Sequence, residues 1–525
     1  MKHRFSMKEH IWTNTVVYIC ILAIFAIVTF GGVCALTFWK DDTGYFFITL
    51  HNILYPIMWI HPATPLEFLI NVKLFGFVMP YWHLVGIILK IIASYAIFCM
   101  VESITENQRV GFIAGFLSSV TVIGMEAVAW PSAHVVLWIM IGVSYSIHFF
   151  LQWQKTGKLL YGYASIGAMV CSLIADPGRV FPMLPLFFMV GKLSGWKKHL
   201  HTYRYAIAGS IGLVGISMLG VCIHSDISTQ HPMTRAFLFA CTHPEIIMTK
   251  LYVIANYFQS MAVMFVGWAF WFPETNATIA PNRLIAWCGV VGSIGSFLYL
   301  IISWKRYKKS VRIMLFFLAW SFLAYIPNWL FEPRLVSGIT NHYDAVSGIG
   351  VIGLIAYDIG TIEKRTVRTI LFICVMSLQW WYAYGEIGRM QKERLDARVQ
   401  FILDRMSSDM SQDAMPKILT VTGIHPITAS LHYSLPVSLG VYRDATVPTD
   451  FFLMAKTNAK ETTEAYVCQK PVIHMFGKDV QYDRPVAVDH MYAWFIKNDG
   501  MPINQSEAFR EEIEKEKRVL CPTLE

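Results

Sequence analysis

Residues 12–45 read WTNTVVYICILAIFAIVTFGGVCALTFWKDDTGY, and their order decides the fold. The stretch from Trp12 to Phe38 carries no charge and exceeds the roughly 20 apolar residues that a bilayer-crossing helix needs. It runs into Trp39-Lys40-Asp41-Asp42-Thr43-Gly44-Tyr45, a short polar loop with two adjacent carboxylates. An ionised acid beside hydrocarbon is costly unless it is solvated or paired. Asp41 and Asp42 therefore read either as a solvated helix end or as a chemical centre, and the loop alone leaves both open.

Upstream, Lys2, Arg4 and Lys8 make the N-terminus basic. The apolar run that follows is longer than a signal-peptide core and has no small-residue cleavage site, so it is expected to be an uncleaved first span with a cytoplasmic N-terminus. The whole chain agrees: 525 residues, 55% hydrophobic, 15% charged and a mean hydropathy of +0.47 describe a polytopic membrane protein. The formal charge of +8 does not point to nucleic acid, because Lys and Arg fall in clusters between apolar segments, where they set orientation. The ten cysteines show no CxxC spacing, and Cys20, Cys34, Cys99, Cys171 and Cys374 lie in apolar segments as small hydrophobes, which argues against a zinc site. Cys468 and Cys521 sit in a polar region and are free to pair in an oxidising compartment.

Beyond the Asp pair, Tyr45 to Ile60 and Pro65 to Met79 are apolar but interrupted, which fits interfacial helices in the first outer loop. Further spans are expected at Trp82 to Val101, Val110 to Gly124, His134 to Leu151, Leu160 to Ile174, Phe181 to Leu193, Ala206 to Ile223, Leu284 to Trp304, Val311 to Leu330, Ala345 to Ile359 and Thr369 to Tyr384. With the first, that makes about 11 transmembrane helices. Leu251 to Phe272 is read as re-entrant or interfacial, because a crossing there would export Lys305, Arg306, Lys308, Lys309 and Arg312. The expected fold is thus mainly α and polytopic over residues 1–384, followed by a small exported α/β domain over 385–525. In that domain Arg389 to Met406 has helical spacing, whereas Lys417 to Thr422, Thr463 to Val467 and Pro471 to His474 read as strands. Asn276-Ala277-Thr278 and Asn504-Gln505-Ser506 are glycosylation sequons.

With that orientation, four outer loops carry ionisable groups: Asp41 and Asp42; Glu126 in Glu126-Ala127-Val128-Ala129-Trp130; Asp176 and Arg179 in Asp176-Pro177-Gly178-Arg179; and Glu332 and Arg334 around Pro333. An arginine can hold phosphate through charge-assisted hydrogen bonds, and a carboxylate can take the proton of an attacking hydroxyl. Each loop alone also reads as an ordinary rim charge, with Asp176 pairing Arg179 and Glu332 pairing Arg334. His51, His61, His134 and His342 fall near the outer side and receive no metal, and His134 is kept as a phosphate or sugar contact.

The Asp pair after span one, the Glu126 to Trp130 loop, the Asp176 to Pro185 stretch and Glu332-Pro333-Arg334-Leu335 together resemble the GT-C superfamily of polyprenyl-phosphate-sugar-dependent glycosyltransferases. Within it, the pattern is similar to the tetratricopeptide-type O-mannosyltransferase branch, with Glu-Ala-Val-Ala-Trp at 126–130 as the most specific match. The plan also resembles bacterial and phage serotype-converting transferases that act on O-antigen. Gly124-Met125 replaces a His-containing lead-in, Asp176-Pro177-Gly178-Arg179 stands where Lys-Glu is usual, Pro333 splits a Glu-Arg pair, and no tetratricopeptide repeats follow.

The resemblance implies sugar transfer from a polyprenyl-phosphate donor to a glycan or lipid-linked glycan hydroxyl, with inversion. Asp41 or Asp42 would act as general base, Arg179 and Arg334 would hold the donor phosphate, and Glu126 would orient a substrate, with His134, Asp176 and Glu332 also lining the site. An Asp pair is compatible with a divalent cation, whereas relatives with phosphate-linked monosaccharide donors work without metal. A bacterial inner membrane with a periplasmic C-terminal domain is the expected location. The alternative from another class is a lipid or glycolipid transporter without covalent chemistry.

Overall fold

The computed structural model describes residues 2–36, 63–76, 78–190, 254–267, 308–331, 341–394, 405–410, 417–423, 452–455, 458–470, 472–475, 478–481, 485–499 and 501–522, with isolated helical positions at 291, 295, 298 and 302. The chain divides into two compact units, one built on helices up to Ile387 and the other containing Gly388–Glu525 together with Pro65–Trp82.

The first unit is an integral-membrane helical bundle. Six helices among the described residues are long and apolar enough to span: Thr15–Ala35, Met79–Thr105, Pro131–Thr156, Lys309–Trp329, Asp344–Thr361 and Arg365–Gln391. Leu159–Ala175 and Gly178–Phe187, bent by 119°, make a seventh if the pair is one broken span. The expected span at Ala206 to Ile223 lies outside the described residues, and that at Leu284 to Trp304 is described only at the isolated positions.

We number the helices α1 (Lys2–Phe30), α2 (Ala63–Phe75), α3 (Met79–Thr105), α4 (Gln108–Val120), α5 (Glu126–Ala129), α6 (His134–Thr156), α7 (Leu159–Ala175), α8 (Pro177–Val180), α9 (Pro185–Val190), α10 (Ile254–Gly267), α11 (Lys308–Phe331), α12 (Asp344–Thr361) and α13 (Arg365–Arg394). Helix association in lipid relies on close packing and interhelical hydrogen bonds rather than on apolar burial. Both are present here. Ser146 on α6 and Ser165 on α7 each donate to the other's backbone carbonyl, at 2.7 and 2.8 Å. Trp320 Nε1 and Ser321 Oγ of α11 donate to the carbonyls of Val346 and Ser347 on α12, at 2.8 and 2.9 Å. Tyr18 of α1 sits among Phe98, Phe112 and Phe116 and donates to Phe112 O.

Several expected segments differ. The span expected at Val110 to Gly124 is the 13-residue α4, which stops at Val120. Residues 121–125 leave the helix inside the bundle, which membrane proteins tolerate only where protein satisfies the backbone. Gln379 of α13 does so: its Oε1 accepts from Thr121 Oγ1 at 3.0 Å and Val122 N at 3.4 Å, while Thr121 Oγ1 accepts from Ile123 N. The described part of Phe181 to Leu193 is no straight span but a chain of short turns, because Pro177, Pro182 and Pro185 cannot continue a helix. Two segments expected to be interfacial or re-entrant are described in part: helix α10 lies within Leu251 to Phe272, and α2 overlaps Pro65 to Met79. Helix α13 runs unbroken past Tyr384 to Arg394, so the boundary expected after 384 falls within a helix.

Antiparallel pairing sorts the bundle's ends. Helices α6 and α12 begin, and α7 and α11 finish, at one end; Lys155, Lys158, Lys309 and Arg312 lie at the other. Helix α13 starts at that basic end with Arg365 and Arg368 and returns to expose Trp380, Trp381 and Tyr384, the last two at 64%. Arg365 to Tyr384 is about 28 Å at 1.5 Å per residue, close to the hydrocarbon thickness that separates basic and aromatic belts.

The second unit is a small α/β arrangement, as expected. Strands β1 (Lys417–Gly423), β2 (Phe452–Met454), β5 (Met491–Ile496) and β6 (Pro502–Asn504) order as β2-β1-β5-β6, with β1 parallel to both neighbours and β6 antiparallel to β5; β3 (Val472–Met475) and β4 (Lys478–Gln481) form a separate hairpin. Helix α14 (Ala459–Thr462) and the amphipathic α15 (Ser506–Leu520) pack on a core of Ile418, Tyr466, Val467, Met491 and Ile513. Thr463–Val467, expected as a strand, is instead a π-helical turn extending α14. Asn458 caps that helix by accepting from Glu461 N, and the hydroxyls of Thr462 and Thr463 bond back to carbonyls four residues earlier, so local bonding overrides the β-branched pattern. Cys468, just past the turn, is joined to Cys521 by the expected disulfide.

Candidate active site

The site is built at the end of the bundle where α6 and α12 begin. Gly124 starts it: its φ is +65°, and a Cβ there would lie 2.3–2.5 Å from atoms of Ala345 on α12. Only glycine permits both the left-handed turn and the close approach. The backbone then winds into α5, which buries Glu126 at 8% exposure.

The carboxylate of Glu126 faces the Asn341–Asp344 turn that opens α12. Glu126 Oε2 accepts from His342 N at 3.4 Å and lies 3.2 Å from His342 Nδ1. Trp130, one turn beyond Glu126, sets its ring edge-on to His342 at 4.9 Å. The turn itself is closed by Asn341, whose Oδ1 accepts from Tyr343 N and whose carbonyl accepts from Asp344 N. This is the Asx-type geometry that Asn favours ahead of a helix.

Asp176 and Arg179 enter from the end of α7. Proline at 177 ends the preceding geometry, and Asp176 Oδ1 accepts from Arg179 N at 3.1 Å, capping the short α8. The same carboxylate's Oδ2 accepts from Arg179 Nε at 2.9 Å. Arg179 Nη1 donates to Asn328 Oδ1 at 2.8 Å, and Asn328 Nδ2 donates to Tyr343 O at 2.9 Å. The guanidinium lies 4.4 Å from the Tyr343 ring centroid. Arg179 is therefore fixed on three sides, while its Nη2 makes no hydrogen bond among the described residues. Its side chain is 15% exposed, so those remaining donors are held ready in a largely dry setting.

Four chain segments far apart in sequence thus converge through one turn. Glu126, Asp176 and Arg179 are brought together, joined by Asn328, His342 and Tyr343. No site role was expected for Asn328 or Tyr343, and His342 was noted only as an outer-side histidine. His134 is fully buried where α6 meets α3, and a Cβ at Gly86 would be 2.5 Å from its Nε2. Asp41, Asp42, Glu332 and Arg334 lie outside the described residues. Among the described residues there is no group of three or more His, Cys, Asp or Glu able to hold a metal ion.

No family profile and no curated protein matches this chain. Among solved structures it is similar to ArnT from Cupriavidus metallidurans bound to undecaprenyl phosphate, with a TM-score of 0.45, 12% identity, and coverage of 86% of this chain and 87% of that one. It is also similar to the archaeal oligosaccharyltransferase AglB from Archaeoglobus fulgidus in complex with an inhibitory peptide and a dolichol-phosphate, with a TM-score of 0.47 and 11% identity, over 84% of this chain and 64% of that one.

Proposed function

We propose that the protein is a GT-C-type membrane glycosyltransferase that moves a sugar from a polyprenyl-phosphate carrier to a glycan hydroxyl. The observation that carries this reading is Arg179, a guanidinium immobilised by Asp176, Asn328 and Tyr343 with donors to spare at the end of a membrane bundle. A fixed fork of N–H donors in a low-dielectric rim suits a lipid-linked phosphate, whose charge grows as it leaves. The basic residues that gather at the opposite end of the bundle support, by the positive-inside rule, a reading in which that end is cytoplasmic and the Arg179 end extracytoplasmic.

In this mechanism the acceptor hydroxyl attacks the anomeric carbon from the face opposite the phosphate. Its oxygen–carbon bond forms as the carbon–oxygen bond to phosphate breaks, giving inversion. Asp41 or Asp42 takes the hydroxyl proton, and the polyprenyl phosphate departs held by Arg179, with Arg334 as a second cation. Glu126, oriented by His342, accepts hydrogen bonds from substrate hydroxyls. O-antigen-like glycan is the acceptor class, and a bacterial inner membrane the location.

The test is transfer of labelled sugar from polyprenyl-phosphate donor in membranes containing the wild type, Asp41→Asn or Asp42→Asn, each at matched expression. Loss of transfer in one variant that remains folded identifies the base. A wild type that moves labelled lipid across the bilayer without forming a covalent product replaces this reading with transport.

A further inference from the structure

In the second unit an open groove of about 770 Å³ lies where α15 meets β6 and the 405–410 turn. One wall is a single helix face that carries Glu507, Glu511 and Glu514 interleaved with Arg510, Lys515 and Arg518. Asp409 and Asn504 complete the opposite side. We propose that this groove binds the acceptor as a neutral, polyhydroxylated saccharide chain; this rests on the glycosyltransferase reading for the acceptor's role, though not for the groove's existence.

Two properties point to a saccharide. The first is charge balance: carboxylates and cations alternate, so neither a polyanion nor a polycation gains from the whole surface, while a sugar hydroxyl, both donor and acceptor, finds a partner of each kind within one turn. The second is preorganisation. Arg510 is fixed by donating from Nε to Met491 O at 2.8 Å and by lying 4.8 Å from the Tyr492 ring. Asp409 is fixed by accepting from Trp494 Nε1 at 3.0 Å, and Tyr492 and Trp494, both buried, lie within 14° of parallel. Ser506, at the start of α15, is locked to the backbone of Ala493, and Cys521 pins the helix's far end to Cys468. A merely solvated helix face has no need of an arginine and an aspartate tethered from behind by buried aromatic residues, whereas a binding site gains affinity from groups that do not have to be ordered. Capture of a glycan on the same chain as the catalytic centre would raise its effective concentration there.

The experiment uses the full-length protein in detergent and a Glu511→Ala/Lys515→Ala double variant, both positions exposed and neither in a hydrogen bond or ion pair among the described residues. Glu512→Ala, on the same helix but outside the groove, is the control. Fluorescence anisotropy is read with labelled mannohexaose, maltohexaose and chitohexaose, and transfer is read as acceptor KM and kcat. Loss of two hydrogen-bonding groups predicts about a tenfold rise in Kd and in acceptor KM with kcat unchanged, and no change in the control. A wild type that binds none of these probes, or a double variant that binds them as the wild type does, overturns the groove proposal whatever the transfer assay shows. Binding that the double variant loses, in a wild type that transfers nothing, supports the groove and overturns the transferase reading instead.

Discussion

Replacing Arg179 by lysine separates a phosphate-holding role from a structural one. Lysine keeps the positive charge, so Asp176 is not left as an uncompensated buried carboxylate, a loss that costs about 3–5 kcal/mol in other proteins. What it cannot keep is the fork: Arg179 reaches Asp176 through Nε at 2.9 Å and Asn328 through Nη1 at 2.8 Å while its plane lies over Tyr343. One ammonium can serve one of these partners, and it stacks poorly. The variant then forfeits a charge-assisted hydrogen bond worth about 1.5–3 kcal/mol and part of a cation–π contact worth roughly 0.5–1 kcal/mol, so its folded state weakens by about 2–4 kcal/mol.

The catalytic effect follows from the donors now turned towards Asp176 or Asn328 instead of substrate. Losing one charge-assisted contact to the departing phosphate lowers kcat/KM roughly 10- to 150-fold, at 1.36 kcal/mol per decade. The assay is initial-rate transfer from polyprenyl-phosphate donor in proteoliposomes, run beside thermal unfolding in detergent. Asn328→Asp gives the guanidinium a second carboxylate but loses the Nδ2 donor to Tyr343 O, and is expected to slow transfer and to lower the unfolding temperature. If Arg179→Lys unfolds earlier yet transfers within twofold of the wild type, Arg179 ties α8 to α11 and α12 and holds no phosphate.

Three further outcomes are expected. Glu126→Gln keeps the size of the side chain but replaces the carboxylate that faces His342 by a neutral amide; it is expected to lower transfer about tenfold and to lower the unfolding free energy by no more than about 1.5 kcal/mol, the worth of one weakened hydrogen bond, read by initial rates beside a detergent melt. Gly124→Ala combines a φ of +65° with a Cβ inside van der Waals contact of Ala345, so it is expected to lower the unfolding free energy by more than about 2 kcal/mol in a detergent melt; a neutral effect would mean the turn relaxes freely. Cys468→Ser removes a crosslink across a sequence separation of 53 residues, which chain entropy values at about 4 kcal/mol, and is expected to raise protease sensitivity of the C-terminal unit while the bundle's melt is unchanged.

Membrane class, most of the described spans and the disulfide were legible because each depends on composition or spacing that survives in one dimension. Apolar length shows in α1, α3, α6, α11, α12 and α13, and the charge clusters sort their ends. Breaks inside apolar segments were not legible. Thr121 to Met125 is as hydrophobic as a span, and what stops the helix is Gln379, more than 250 positions away, supplying a buried acceptor that no local pattern announces. The π-helical turn at Thr463–Val467 was illegible for a related reason: β-branched residues signal strands on average, but the Asn458 cap five residues upstream favours a helix here.

The candidate site divides along the same line. Glu126, Asp176 and Arg179 could be picked from sequence because an ionisable residue at the end of a membrane helix is conspicuous among apolar neighbours. Asn328, His342 and Tyr343 could not, because their chemistry is ordinary until position is known. Asn328 is a neutral amide in the last turns of an apolar helix, and Tyr343 resembles the interfacial aromatics found throughout such proteins. Yet these two add what the ion pair alone lacks: the Asn328 oxygen takes Nη1 and the Tyr343 ring takes the face of the guanidinium, and part of the fork stays open. The Asp176–Arg179 pair that sequence alone could read as purely structural keeps its 2.9 Å contact and, in three dimensions, shares its guanidinium with Asn328 and the Tyr343 ring, so that the fork is fixed in place while Nη2 makes no hydrogen bond among the described residues.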